Sequence, residues 1–205
     1  MLNIPALMSS LSVKRPVFHS EADFQHAFAL ELAHQEPSLD LRLEVPFAFE
    51  RRGATDLVIR SRSFVSGIEL EYLSQSLVHE IDGEAFNLKD QGATDLRRYD
   101  IVKDIERLER FNQEYGGTSF VIALTNDPAY WRPVRRKGTI DAAFRLCEGR
   151  TFGGECRWAE SAAAGTVKGR ERPISLSASY CANWAPYSIL GPARGEFRYL
   201  LFSID

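Results

Sequence analysis

The sequence predicts an α/β protein in which helices flank a central mixed β-sheet. Residues 94–115 place an apolar side chain at every third or fourth position, which is the period of an amphipathic helix. Three short strand-like segments precede this helix, and the first of them, residues 41–47, alternates apolar and polar residues as a half-buried strand does. Directly after it, residues 119–124 form a continuous apolar run that is typical of a strand buried on both faces. A helix that connects buried strands favours a right-handed crossover, so we expect residues 119–124 to lie inside the sheet.

The first half of the chain predicts a helix followed by a meander of strands. Ser20 and Asp23 resemble a capping box, and apolar residues then recur at helical spacing to the end of a predicted helix. Asp82-Gly83 lies centrally in residues 77–88 and is a strong signal for a tight hairpin. The order of predicted elements is helix 21–35, strands 41–47, 55–61 and 67–73, hairpin 77–88, helix 94–115 and strand 119–124.

The last third of the chain is harder to interpret. It contains a predicted loop at 162–172, a closing strand at 197–202, and the three tryptophans Trp131, Trp158 and Trp184. Aromatic residues in such a context favour core packing over a base-stacking platform. We therefore expect a single domain over residues 17–205, with a core at about 17–125 and a β-rich extension at about 126–205, after a flexible segment at 1–16.

Composition excludes several classes of protein. With 205 residues, 44% of them hydrophobic, the chain has enough apolar material for one globular core. Its formal charge is -3, whereas a dedicated polyanion binder often carries an excess of basic residues. Any contact with nucleic acid must therefore come from a local basic patch. Three scattered cysteines give neither a disulfide framework nor zinc-ligand spacing. No run reaches the ~18 apolar residues of a membrane span. We expect a cytoplasmic protein without a membrane partner.

Two acidic residues on neighbouring predicted strands suggest a metal site. Asp56 lies on the strand 55–61, and Glu69 lies on the strand 67–73. Carboxylates from adjacent strands can bring hard oxygen ligands to one divalent ion, because side chains two apart share a sheet face. Such acids also occur on the solvated face of an antiparallel sheet, which is the alternative interpretation.

The order of these elements resembles the PD-(D/E)xK nuclease superfamily, whose fold is restriction-endonuclease-like. The matching residues are Glu21 at the start of the first predicted helix, Asp56 and Glu69. Residues 18–27, 91–95 and 98–104 are similar to an uncharacterised bacterial branch of that superfamily. The resemblance covers about residues 17–125.

The resemblance implies an α-β-β-β-α-β core and hydrolysis of phosphodiester bonds, in DNA more than in RNA. It implies Mg²⁺ or Mn²⁺ as the cofactor and Asp56, Glu69 and Glu21 as its ligands, with the Leu70 carbonyl completing the shell. A homodimer is also consistent with this superfamily.

One position departs from the superfamily pattern, because Glu71 stands where a lysine is expected. That lysine would stabilise charge in the transition state, which a glutamate cannot do. Lys103 on the helix 94–115 is the first candidate to replace it, and Lys89 is the weaker one. Alternatively, Glu71 joins the catalytic site and supports a second metal ion. The third possibility is loss of catalysis.

Basic pairs supply the candidate contacts with nucleic-acid phosphates. We assign this role to Arg97, Arg98, Arg135 and Arg136. The rival hypothesis is a catalytically inactive nuclease-like fold that binds nucleic acid or protein. A weaker one is an immunity or regulatory protein, which predicts an exposed apolar patch in the tryptophan-bearing third.

Overall fold

The computed structural model describes residues 2–50, 53–133, 138–191 and 194–205. It contains four helices and ten strands in these ranges, together with a 3-10 turn at Ala142–Phe144. The helices are α1 (Ile4–Lys14), α2 (Glu21–Gln35), α3 (Thr94–Tyr115) and the short α4 (Ala164–Val167). The strands are β1 (Asp40–Pro46), β2 (Ala54–Arg60), β3 (Val65–Leu73), β4 (Leu77–Ile81), β5 (Glu84–Leu88), β6 (Ser119–Thr125), β7 (Thr151–Cys156), β8 (Ile174–Cys181), β9 (Trp184–Ile189) and β10 (Glu196–Ile204).

A mixed six-stranded sheet organises the protein, in the order β1-β2-β3-β6-β10-β9. Strands β1, β2 and β3 pair antiparallel, whereas β3 and β6 pair parallel. Strand β10 runs antiparallel to both β6 and β9. The predicted α/β class with a mixed sheet is confirmed, and β6 lies inside the sheet with every residue buried.

The two faces of the sheet are covered by different helices. Leu57 and Ile59 of β2 point into a core that contains α1 and α2, whereas Val58 between them points into a core that contains α3. This alternation follows from the period of two along a strand. Helix α3 therefore covers the face of the sheet to which every second side chain of β2, β3 and β6 points.

The locally patterned elements agree with the sequence predictions. Helix α2 begins after Ser20, whose hydroxyl accepts a hydrogen bond from the Asp23 amide at 3.2 Å. Helix α3 ends at Gly116, which has a positive φ of 71°. Strands β4 and β5 form the predicted hairpin, and Asp82 and Gly83 in its turn have φ values of 50° and 83°. Two positive φ values are what a type I′ hairpin turn requires.

The N-terminal segment differs from its prediction, because residues 4–14 form helix α1 instead of a flexible segment. The Asn3 side chain caps this helix by accepting a hydrogen bond from the Ala6 amide at 3.1 Å. Its buried residues recur at helical spacing against α2 and β9: Ile4, Leu7, Met8 and Leu11.

The C-terminal third is rich in strands, as predicted, and its predicted closing strand is β10, but its relation to the core sheet differs from the prediction. Strands β9 and β10 belong to the central sheet, and only the β7–β8 ribbon is separate from it. The predicted loop at 162–172 contains α4. Trp131 and Trp184 are buried, and Trp158 stacks on Tyr99 with ring centroids 5.7 Å apart. The tryptophans therefore contribute to the core, as predicted, and do not form an exposed patch.

An ion pair joins α1 to α2. Glu31 is 7% exposed and accepts hydrogen bonds at 2.7 Å from Lys14, Ser10 and Gln35. The hydrogen bond from Lys14 is the main cause that lowers the pKa of Glu31 to about 2. The charged form of Glu31 is therefore the form that the fold stabilises.

Replacing Lys14 with methionine should lower the free energy of unfolding at pH 7 by roughly 1–3 kcal/mol, because Glu31 loses its cation in a buried position. The difference from the wild type should shrink as the pH falls from about 4.5 towards about 2, where Glu31 becomes protonated in both states. Urea denaturation would measure both effects. Arg42→Met breaks an exposed pair with Asp40 and should cost less than about 0.5 kcal/mol. Equal losses in the two variants would contradict this role for Glu31.

Candidate functional site

The predicted acids Asp56 and Glu69 lie on the same face of the sheet. Glu69 pairs with Val121 of β6, whose side chain belongs to the core under α3. Asp56 is two residues from Val58, which points into that same core. Because side chains two apart share a face, both carboxylates lie beneath α3. Glu71 lies there too, opposite Ala123.

The end of the β2–β3 ladder gives Asp56 a backbone partner. The paired residues run from Arg60 and Val65 to Leu57 and Ile68. Just past that last pair, the Leu70 amide donates to Asp56 Oδ2 at 2.7 Å instead of to β2. Where pairing between two strands stops, a backbone amide loses its partner in the next strand. A carboxylate can then accept a hydrogen bond from that amide. This bond fixes one oxygen of Asp56 next to β3.

Helix α3 adds an arginine and a further acid that the sequence analysis missed. Arg107 Nη1 donates to Asp104 Oδ1 at 2.9 Å and lies 3.9 Å from Glu69 Oε1. The guanidinium also donates to the Ala54 carbonyl at 3.1 Å and lies 4.3 Å above the Phe47 ring centre. Arg107 is therefore held rigidly beside the predicted metal ligands, and it is always protonated.

The sequence carried a signal for Asp104. Ile101, Ile105 and Leu108 are fully buried, and Asp104 falls within their helical stripe, three residues after Ile101 and four before Leu108. An acid in an apolar stripe is costly unless it is paired, so its presence there indicates a cation or a site. Asp104 is 7% exposed in the structure.

Lys103 does not occupy the place expected from the sequence. Its Nζ lies 3.7 Å from Glu50 Oε1, on the outer side of α3. The guanidinium of Arg107 stands next to Glu69 instead. The other candidate, Lys89, is exposed after β5.

Glu44 is a further acid of the site, and its backbone is unusual. It has a φ of 52° within β1, a conformation that residues other than glycine rarely adopt. Before it, Leu41 contacts the core under α1 and α2, and after it Val45 contacts the core under α3. The strand thus changes faces at Glu44, whose Oε1 accepts a hydrogen bond from Gln25 at 3.4 Å. Such strain occurs more often at functional sites.

We name Glu21, Asp56, Glu69, Glu71 and Asp104 the acidic cluster. Burial is the main cause that raises the pKa of Asp56 to about 6, with Glu44 and Glu21 adding to it and the Leu70 amide opposing it. Burial likewise raises the pKa of Asp104 to about 7, against the influence of Arg107. The pKa values of Glu69 and Glu71 lie well above the ordinary range, first because of burial and then because of Asp104.

Glu21 belongs to the cluster electrostatically. Desolvation raises its pKa and Glu44 adds to this effect, whereas the Tyr72 backbone and Arg97 oppose it. Arg97 also lowers the pKa of Glu71. This predicted phosphate contact therefore stands beside the acids, half-buried at the start of α3.

Two fully buried carboxylate oxygens of the cluster have no hydrogen-bond donor among the described residues. They are Glu69 Oε1 and Glu71 Oε2. Glu69 is 4% exposed, so this oxygen is shielded from bulk solvent. A buried carboxylate in this condition needs a proton or a cation. Hard oxygen donors of this kind suit Mg²⁺ or Mn²⁺, with Asp56 and Glu69 as the candidate ligands. Within the described ranges, however, no three His, Cys, Asp or Glu side chains already form a metal-binding group.

The remaining predicted phosphate contacts have different outcomes. Arg98 is buried, donates to Asp141 Oδ2 and the Ala129 carbonyl at 2.8 Å each, and lies over the Tyr130 ring. Because its guanidinium is engaged inside the protein, it is not available to a phosphate, and this prediction was wrong. Arg135 and Arg136 lie outside the described residues.

Comparisons with known proteins identify no relative. No protein-family model, no curated protein and no solved structure matches the chain. Among the helices in the described ranges, none is both long and apolar enough to cross a membrane.

Proposed function

We propose that this protein is a divalent-metal-dependent nuclease with a restriction-endonuclease-like core, acting on DNA. The observation that carries the proposal is Glu69 Oε1, a buried carboxylate oxygen without a donor, on the same sheet face as Asp56 and 3.9 Å from Arg107. The order α2, β1, β2, β3, α3, β6 and the parallel pairing of β3 with β6 support the same assignment.

The residues divide the chemistry between them. Asp56 and Glu69 would hold Mg²⁺ or Mn²⁺, assisted by Glu21. The bound ion would polarise the phosphate and lower the pKa of an attacking water. Arg107 replaces the missing lysine in stabilising the transition state, because it carries a fixed positive charge where negative charge develops on the phosphate.

Glu71 is the proposed proton acceptor of the reaction. It is less buried than Glu69, one of its oxygens has no donor, and its raised pKa makes it a stronger base than an ordinary glutamate. In this scheme the glutamate at the lysine position binds the proton of the water, and Arg107 supplies the charge.

The test combines metal binding with cleavage. Purified protein would be titrated with Mn²⁺ by calorimetry and incubated with labelled single-stranded, duplex and branched DNA in Mg²⁺ or Mn²⁺. Glu69→Gln should abolish Mn²⁺ binding at this site and lower cleavage by about 1,000-fold, equivalent to ~4 kcal/mol of transition-state stabilisation. Glu80→Gln, which neutralises an exposed acid in the β4–β5 hairpin, should change neither quantity. Absence of Mn²⁺ binding and of cleavage in the wild type would refute the proposal.

One observation favours a second candidate function, a nuclease-like fold that binds nucleic acid without cutting it. Glu71 adds negative charge where a phosphate would approach, which weakens catalysis unless Arg107 compensates. This alternative predicts salt-sensitive DNA binding and no cleavage in either metal ion. The same titrations and incubations distinguish the two functions.

A further inference from the structure

A cationic groove runs along the outer side of α3, next to the acidic cluster. We name it the α3 groove, and its volume is about 320 Å³. Its charged walls come from α3, from the residue Glu50 after β1, and from the segment before β8. These residues are Lys103, Arg107, Arg110, Arg172, Glu50 and Glu106.

The groove carries an excess of positive charge on an acidic protein. It has four basic and two acidic side chains, whereas the formal charge of the chain is -3. Glu106 is bonded to Arg172 and accepts the Ser175 amide at 2.9 Å, so its charge is largely satisfied. Among the described residues, no acid lies within ion-pair distance of Arg110. A polyanion would find uncompensated charge here.

Arg107 connects the groove to the acidic cluster. Its Nη1 lies 3.9 Å from Glu69 Oε1, whereas its Nε lies 3.3 Å from Glu50 Oε2 in the groove wall. The α3 groove and the acidic cluster are therefore separated by the width of one guanidinium. A polymer with a phosphate at the acidic cluster would place its neighbouring phosphates in the groove.

We propose that the α3 groove binds backbone phosphates of the nucleic-acid strand whose adjacent phosphate lies at the acidic cluster. This inference rests on the proposed function and identifies the path of the substrate strand. Lys103 and Arg110 are the principal contacts. Lys103 lies 3.7 Å from Glu50, a weak pairing that a phosphate can replace. Arg110 is exposed on α3, 6.0 Å from the Phe49 ring centre.

The experiment measures DNA binding separately from cleavage. Fluorescence anisotropy would follow labelled single-stranded and duplex DNA with the full chain in EDTA and in Ca²⁺, over a range of NaCl concentrations. Lys103→Gln/Arg110→Gln should lower the affinity for DNA at 0.1 M salt by about 10-fold. It should also reduce the slope of log affinity against log salt concentration by about 2, which is one for each lost phosphate contact. The matched control is Arg62→Gln, which removes an exposed cation from the turn between β2 and β3 and should change neither quantity.

Each outcome decides the inference. The expected loss of affinity and slope, with an unchanged melting temperature, supports the groove as the path of the strand. Wild-type affinity and slope in the double variant would overturn the inference, as would a loss of the same size in Arg62→Gln. Such a failure would leave the proposed function standing if Glu69 still controls Mn²⁺ binding and cleavage. Conversely, groove-dependent DNA binding without Mn²⁺ binding or cleavage would refute the proposed nuclease and leave the α3 groove as a DNA-binding surface only.

Discussion

Substitution of Arg107 with methionine should lower metal-dependent cleavage by about 100- to 1,000-fold, the effect of removing one preorganised electrostatic group from a transition state. Affinity for Mn²⁺ should stay the same or increase, because the acidic cluster loses the cation that competes with the metal ion. The measurements are single-turnover cleavage rates and Mn²⁺ calorimetry. This separation of rate from affinity is the mark of a group that acts on the phosphate and not on the metal.

The fold limits how Arg107 can be tested. Its removal takes away the cation that lowers the pKa of Asp104, so Asp104 should be protonated at pH 7 and the variant should lose roughly 1–3 kcal/mol through its broken hydrogen bonds. Gly53→Ala offers a second route. A β-carbon on Gly53, whose φ is 150°, would lie 2.6 Å from Arg107 Nη2, so this substitution strains the backbone and forces the guanidinium out of its place. Cleavage should fall here too, by less than in Arg107→Met.

The control for both variants is an exposed arginine. Arg157→Met removes an exposed guanidinium that pairs with the exposed Glu155, so cleavage should stay at the wild-type rate. If Arg107→Met cleaves as fast as the wild type while it remains folded, Arg107 is not the replacement for the missing lysine.

Local patterns were sufficient to predict the elements next to the site. The capped helix α2, the Asp-Gly hairpin and the three-residue repeat of α3 each depend on neighbours within about four positions. Helix α1 had the same kind of signal in Ile4, Leu7 and Leu11, together with a capping Asn3. It was missed although the signal was local.

Features that depend on distant contacts could not be predicted in this way. The pairing of β10 with β6, which brings β10 and β9 into the sheet, joins residues about 75 apart in sequence, such as Tyr199 with Leu124. Arg107 was missed for a similar reason. Its position beside Glu69 depends on the packing of α3 across β3, whereas Lys103 was chosen because lysine is what the superfamily resemblance requires. The pair Asp56 and Glu69 was predictable, because adjacent strands and alternation place them on one face.

The acidic cluster should make the metal-free protein less stable as the pH rises from about 4 to about 7. Asp56 and Asp104 have ordinary pKa values of 3.8, and the fold raises them to about 6 and about 7. In that window the folded state binds more protons than the unfolded state, so the free energy of unfolding falls with increasing pH. Glu31 has the opposite shift and acts below about 4.5, so it overlaps only the acid end of this window. Urea denaturation in EDTA at several pH values would measure the slope.

Two changes should reverse this loss of stability at pH 7: removing one charge from the acidic cluster, and binding a metal ion to it. Glu69→Gln should be more stable than the wild type at pH 7 by about 1–3 kcal/mol, since it removes a buried carboxylate oxygen that has no donor. The gain should vanish towards pH 4, where the wild-type glutamate is protonated. Mg²⁺ at 100 times its dissociation constant should stabilise the wild type by ~2.7 kcal/mol and the variant by much less. A wild type that gains stability between pH 5 and pH 7 in EDTA would contradict the charge repulsion on which the metal site depends. Without that repulsion, the acidic cluster would provide no electrostatic driving force for binding a cation.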